Sequence, residues 1–449
     1  MRTNNIFRVS GSLILGIVVS SILIISSSHV SAVVPYITER VNLTPAGAQM
    51  TGGSVQYAPV ISQDGRYVAF ATTSSDMLPG DTNGKTDVYV RDRKLGANVR
   101  ATLNSTGGEI AASVSGFTMS ANGRFVLFST GNSSVVPGDT NGKPDIFLRD
   151  LKNNTTELVS LSSGGGITNG STSFYDISSD GRYVVFSNDG TNVVPGDTNG
   201  VTDIFLRDRK LGTTTLISKT GAGLISNGYS NRPSISCDGA YIAFNSEATN
   251  LVAGDTNGVQ DLFLVNRIGG ESITNITISG NGTVASPNAE GNSDISCNGQ
   301  KVVLTSKVNY LLNDTNNALD IYVYDITDDT FERANIDSSG AETAGATSGL
   351  SANGSIDFSG RYVVFTNADD TLVTGDTNGS TDVFVRDLID GTTQIVSMRN
   401  ATTQTTGGGS VYYSVSQDGR EVVFPSGDTG LVAGDTNGTV DIFVSKTGV

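Results

Sequence analysis

Seven times the chain places an aspartate, an asparagine two residues on, and a second aspartate four residues beyond. The sets are Asp81, Asn83 and Asp87; Asp139, Asn141 and Asp145; Asp197, Asn199 and Asp203; Asp255, Asn257 and Asp261; Asp314, Asn316 and Asp320; Asp376, Asn378 and Asp382; Asp435, Asn437 and Asp441. Six copies read Asp-Thr-Asn-Gly; in the fifth, Asn313 and Asn317 replace the glycines on either side. Oxygen donors at alternate positions around a tight turn suit a hard cation, calcium first. Positions one, three and seven would give side chains, and position five, which varies from Lys85 to Val201 to Thr439, would give its carbonyl. Two carboxylates and no distal glutamate imply an affinity of about 0.1–1 mM. The same residues also make a turn without an ion, because Asp accepts N–H groups two residues on and Asn-Gly is a favoured turn pair. Both readings stand. In either, a feature copied into every repeat builds scaffold, so any calcium is structural.

Little else carries chemistry. The only histidine, His29, sits in an N-terminal segment with the marks of a secretory signal. Arg2 and Arg8 precede an apolar run from Ser12 to Ile25, and Val30-Ser31-Ala32 forms a small-x-small cleavage site. Cleavage after Ala32 leaves 33–449 as one domain without histidine, which excludes His-based triads and His metal sites. An uncleaved segment would instead serve as a membrane anchor. Cys237 and Cys297 occupy matching places in neighbouring repeats and could pair in an oxidising compartment. Arg91, Arg149, Arg207 and Arg386, each followed by Asp, are candidates for ion pairs between repeats or for solvated edge charges. No catalytic residue is assigned. A formal net charge of −16 argues against a nucleic-acid partner.

The elements that must position these loops follow from the period. The opening aspartates are spaced 58, 58, 58, 59, 62 and 59 residues apart. Each unit runs through a short apolar stretch, a Ser-x-Asp-Gly-type turn such as that ending at Gly181, a β-prone run such as Arg182–Phe186, the Asp-Thr-Asn loop, and a run such as Asp203–Asp208. A turn and a fourth run, such as Thr213–Lys219, complete it. Four strands joined by hairpin turns make an antiparallel sheet. Tyr183, Val184, Val185 and Phe186 place apolar groups on both faces, as a sheet packed between two others requires. The expected fold is all-β, a seven-bladed propeller. The last unit stops after its third strand, and Ile37–Leu43 precedes the first without a partner. That segment is expected to complete the last sheet, with Arg40–Leu43 standing where Thr214–Ile217 stand in the third unit.

The pattern Ser-x-Asp-Gly-Arg-Tyr-Val-x-Phe followed by Asp-Ile-Phe-Leu-x-Asp resembles the TolB-type, WD-repeat-like β-propeller repeats of secreted bacterial and archaeal proteins. The resemblance covers nearly the whole chain after the signal. It implies the propeller fold and an exported location, extracellular or periplasmic. The chain departs from TolB itself, which has six blades and an added N-terminal α/β domain. Related propellers include pectate-fragment lyases with His-rich metal centres, which a chain without mature histidine cannot reproduce.

Loops from the fourth strand to the next first strand, such as Thr220–Asn231 and Asp337–Ala352, are long, polar and unlike one another. They share a face with the Asp-Thr-Asn loops, and variable loops on a rigid support are where recognition usually sits. The expected function is a non-catalytic protein-binding or scaffold module, with a protein or cell-surface partner on that face. The alternatives are a carbohydrate-binding or carbohydrate-active propeller and a structural subunit of an envelope layer.

Overall fold

The computed structural model describes residues 37–277, 293–316, 318–342, 356–400, 403–405 and 413–448. The expected signal segment and its cleavage site lie outside them. There is no helix among the described residues. Blade 3 shows the common plan: Thr172–Ile177 inside, then Tyr183–Asn188, Asp203–Asp208 and Thr213–Leu216 outward, each antiparallel to the next. Six sheets have four strands; in blade 6 the described residues show three strands and an inner bridge between Ile356 and Val363. This is a seven-bladed β-propeller.

Closure follows the expected route with a corrected register. Thr38–Arg40 forms the outer strand of the last blade, pairing with Asp441–Lys446 so that Arg40 opposes Phe443. In blade 3 the residue opposite Phe205 is Leu216, so Arg40 stands where Leu216 does, two residues from the expected match to Thr214. The reason is local. The stretch from Arg40 to Ile61 is two residues longer than that from Leu216 to Ile235; one extra residue lies in the bulge between Gln56 and Val60, which is longer by one than that between Asn231 and Ser234, and the other precedes Gln56.

Apolar residues on both strand faces are buried between blades. One cluster joins Phe125, Leu127 and Ile146 of blade 2 to Val184, Phe186 and Phe205 of blade 3. Another joins Val423, Ile442 and Val444 of blade 7 to Val68, Phe70 and Tyr89 of blade 1, which closes the ring. The Asp-Gly-Arg-Tyr turn adds a second contact. Gly181 has φ +73°, and a Cβ there would lie 2.4 Å from the Phe125 ring of the preceding blade. Glycine is what lets that ring lie flat on the turn.

The third-strand aspartates pair within their own blade. Asp92, Asp150, Asp208 and Asp387 meet Arg66, Arg124, Arg182 and Arg361 from the start of the second strand, at 2.6–2.7 Å. Arg91, Arg149, Arg207 and Arg386 are buried and bond to neutral oxygens instead, as Arg207 does to the Gly212 carbonyl and the Thr214 hydroxyl. Neither inter-blade ion pairs nor solvated edge charges describe them, because the strand register turns these arginines onto the outer hairpin.

Candidate functional site

Two places gather polar groups: the seven loops and the central channel. In the blade 1 loop, Asn83 accepts the Lys85 N–H on its amide oxygen at 2.7 Å. Its amide nitrogen donates to Asp87 Oδ2 at 2.9 Å and to the Ile110 carbonyl at 3.0 Å. Asn141, Asn199 and Asn378 repeat all three bonds. Asn437 does the same with Asp441, the Met50 carbonyl and the Thr439 N–H. Asn257 meets Asp261 and the Val259 N–H, and Asn316 accepts from Ala318. The asparagines therefore face the second aspartate with a donor. Their oxygens close the turn by accepting the N–H two residues on.

The second aspartate of each loop is buried and holds the start of the fourth-strand connection. Asp145 accepts the Ser160 hydroxyl at 2.7 Å, Asp203 those of Ser218 and Ser226 at 2.6 and 2.7 Å, and Asp261 that of Thr277 at 2.6 Å. Burial pushes the carboxyls of Asp87, Asp145, Asp203, Asp261, Asp320, Asp382 and Asp441 above their ordinary value.

The first aspartates differ among blades. In blades 1, 5 and 7 an arginine from the outer strand stands between the two carboxylates. Arg100 Nη1 lies 3.5 Å from Asp81 and 3.7 Å from Asp87, and Arg333 Nη1 lies 3.4 Å from Asp314 and 3.7 Å from Asp320. Arg40 lies 3.4 Å from both Asp435 and Asp441. In blades 1 and 5 the Tyr89 and Tyr322 hydroxyls also donate to the first aspartate. Sequence reasoning missed these arginines. The signal was slight: an arginine seven residues before a glycine, at Arg40, Arg100 and Arg333, proves nothing alone, and its placement opposite Phe443, Tyr89 and Tyr322 comes from strand pairing. Among the described residues no group of three His, Cys, Asp or Glu side chains could hold a metal by itself.

The channel is asymmetric. At one end the Ser-x-Asp-Gly turns meet in main-chain bonds between neighbouring blades: Gln417 to Gln63, Gln63 to Ala121, Ser179 to Cys237, Cys237 to Cys297. Cys237 and Cys297 are disulfide-bonded with Cα atoms 4.6 Å apart. Inner strands converge there, which brings equivalent positions of adjacent blades within disulfide reach. Above this ring, side-chain oxygens of one blade accept main-chain N–H groups of the next. Asp176 Oδ2 takes Ile235 at 3.0 Å, Ser234 takes Ile295 at 2.9 Å, and Asp294 takes Ile356 at 3.3 Å. Asp176 is enclosed, and burial pushes its carboxyl up to about 6.

A cavity of about 200 Å³ runs from this ring to Phe174 and Arg232, toward the long-loop face. Three inner strands carry bulges here. Two of the bulges hold non-glycine residues in left-handed backbone, Tyr57 at φ 62° and Arg232 at φ 51°. The other two described residues of this kind, Asn154 and Asp329, lie in hairpin turns that suit them. Bulges re-aim side chains, and bulky residues at positive φ store strain that clusters at functional sites. The Arg232 guanidinium lies over the Phe174 ring at 5.4 Å. Tyr57 and Phe174 are 40% and 37% exposed, unusual for aromatic rings in this molecule. Tyr57 donates to the Val114 carbonyl at 3.1 Å, and Tyr175 donates to Ser129 Oγ at 3.1 Å, so two tyrosines lean over blade 2 from either side.

No protein-family model matches the chain, and no curated protein sequence does. Solved structures share the fold. An oligogalacturonate lyase in complex with manganese is 14% identical, with a TM-score of 0.54 over 92% of this chain and 96% of that one. A prolyl endopeptidase is 13% identical, with a TM-score of 0.49 over 89% of this chain and 50% of that one. TolB from Acinetobacter baumannii is 12% identical, with a TM-score of 0.37 over 88% and 79%. At the level of the β-propeller fold, the resemblance seen in the repeats holds.

The expectation of a non-catalytic binding or scaffold module is corrected by this comparison. A solved structure that matches over 92% of this chain and 96% of its own is a lyase, and nothing in the described residues supports a non-catalytic role. The likeness itself carries the fold alone. A manganese centre built from several side chains does not fit the described residues, which hold no such cluster.

Proposed function

We propose that this chain is a carbohydrate-active propeller that takes a saccharide into the open mouth of its channel. The carrying observation is the pair of bulged inner strands that hold Tyr57 and Arg232 in strained backbone around that mouth. Exposed Phe174 and Tyr57 rings offer flat apolar faces on which a sugar ring stacks. The Arg232 guanidinium over the Phe174 ring brings positive charge to the same place, which suits an anionic sugar. An acidic saccharide is therefore the first class to test, and the oligogalacturonate lyase among the fold's neighbours points to the same class. We read the repeats as TolB-like and the protein as exported. The signal-like N-terminus and the Cys237–Cys297 bond support an oxidising compartment.

The test is calorimetric titration with oligogalacturonides and with neutral oligosaccharides, beside an ultraviolet assay for unsaturated product. Binding of the acidic series, weakened at least tenfold by Arg232→Ala, is the expected result. Neither binding nor turnover with either series would remove the reading.

A further inference from the structure

We propose that blades 2 and 3 each bind a divalent hard cation of the calcium class. It would sit between Asp139 and Asp145 in one blade and between Asp197 and Asp203 in the other, in the place an arginine guanidinium fills in blades 1, 5 and 7.

The blades form an internal series. The outer-strand residue opposite the third-strand aromatic is Arg100, Arg333 or Arg40 in blades 1, 5 and 7. It is Leu158 and Leu216 in blades 2 and 3. Nine residues on, the arginine blades carry Glu109, Glu342 and Gln49, each bonded to its arginine. Blades 2 and 3 carry Ile167 and Ile225 there. Blades 4 and 6 are intermediate and supply amides. Asn275 stands opposite Phe263 in blade 4, and in blade 6 Gln404 donates to Asp376 at 2.7 Å. The paired carboxylates thus meet a full charge in three blades, an amide dipole in two, and aliphatic side chains in blades 2 and 3.

Asp139 and Asp197 are each 5% exposed, and their partners Asp145 and Asp203 are fully buried. Two such buried carboxylates repel each other, and neutral donors relieve that repulsion less than a counter-charge does. The atom that faces the gap is identifiable. Asp81 Oδ1, Asp314 Oδ1 and Asp435 Oδ1 meet the guanidinium in the arginine blades. The equivalent Asp139 Oδ1 is buried with no hydrogen-bond partner. A third oxygen is at hand: Arg100 and Arg333 also donate to the Gly80 and Asn313 carbonyls at 3.4 Å. Gly138 and Gly196 hold the equivalent places in blades 2 and 3. Two carboxylates and one carbonyl, with water completing the shell, match a calcium site of about 0.1–1 mM affinity.

The test is thermal melting of the whole chain in calcium chloride and in excess chelator at matched ionic strength, with equilibrium dialysis for stoichiometry. The expected result is a calcium-dependent rise in Tm of several degrees. Transplanting the blade 1 arrangement, as Leu158→Arg with Ile167→Glu and Leu216→Arg with Ile225→Glu, should abolish the rise and remove two bound ions per chain. A wild-type Tm indifferent to calcium would overturn the proposal. So would a transplanted variant that keeps the full calcium response, or seven equivalent sites. If that variant fails to fold, Asp139→Asn with Asp197→Asn keeps the shape and removes the charge. It should lose the calcium shift and melt higher without calcium, and retention of the shift would equally overturn the proposal.

Discussion

Arg40 and Asp441 come from opposite ends of the sequence, and the Nε of one stands 3.4 Å from Oδ2 of the other, both side chains buried. The contact joins the seam of the ring. Beside it, Asn42 donates to Asp441 Oδ1 at 2.6 Å. Arg40→Ala leaves Asp435 and Asp441 buried without their counter-charge, and removing one partner of a buried pair costs about 3–5 kcal/mol. Urea unfolding should show that loss as a lower midpoint. In an Asp435→Asn, Asp441→Asn background the same substitution should cost far less, because the penalty belongs to the stranded charges. Equal losses in both backgrounds would mean that the arginine acts by packing alone.

The Cys237–Cys297 bond closes a loop with a sequence separation of 60. For a loop of that length the chain-entropy estimate is about 4 kcal/mol, with 2–4 kcal/mol typical in practice. Cys237→Ser with Cys297→Ser should lower stability by that range. Melting of the wild type in strong reductant should reproduce the drop. The main-chain bond from Cys237 to Cys297 remains in both cases, so the circular dichroism spectrum before melting should be unchanged.

The period carried most of the fold. Asp81 to Asp435 in near-equal steps fixed the blade number, and the unpaired Ile37–Leu43 pointed to the seam. The register at the seam was not legible, because the bulge between Gln56 and Val60 and the stretch before it each add a residue that no local pattern marks. The candidate sites were legible only as halves. Asp139 and Asp145 share a loop and could be read together; the residue that covers them, Leu158, lies on another strand and joins them only through pairing with Phe147. Tyr57 and Arg232 drew no notice for a related reason. Their left-handed backbone is imposed by the surrounding inner strands, whereas their local sequences suggest none.

Asp176 gives a pH signature. Its carboxyl is pushed up to about 6 by burial, while the unfolded chain titrates near the ordinary value of 3.8. The folded state therefore holds more protons between these values, and stability falls as pH rises through the window. The contribution is fully present below the unfolded pKa and lost above the folded one. Asp176→Asn should flatten this part of the stability profile, measured by urea midpoints from pH 4 to pH 7. An unchanged profile would show that Asp176 ionises as easily folded as unfolded.

Gly181 and Gly212 separate two reasons for glycine. Both have left-handed backbone, at φ +73° and +68°; a Cβ at Gly181 would meet the Phe125 ring at 2.4 Å, and a Cβ at Gly212 would meet nothing within 4 Å. Gly212→Ala should therefore cost only the backbone penalty, about 1–2 kcal/mol. Gly181→Ala adds the displacement of a buried ring at the junction of blades 2 and 3, a further cost of about 1–3 kcal/mol. The difference between the two variants in urea unfolding measures how tightly the turn of one blade is seated on the aromatic of the one before. If the two cost the same, the ring moves aside freely, and the repeated Asp-Gly-Arg-Tyr turn serves its own hairpin and contributes nothing to the joint between blades.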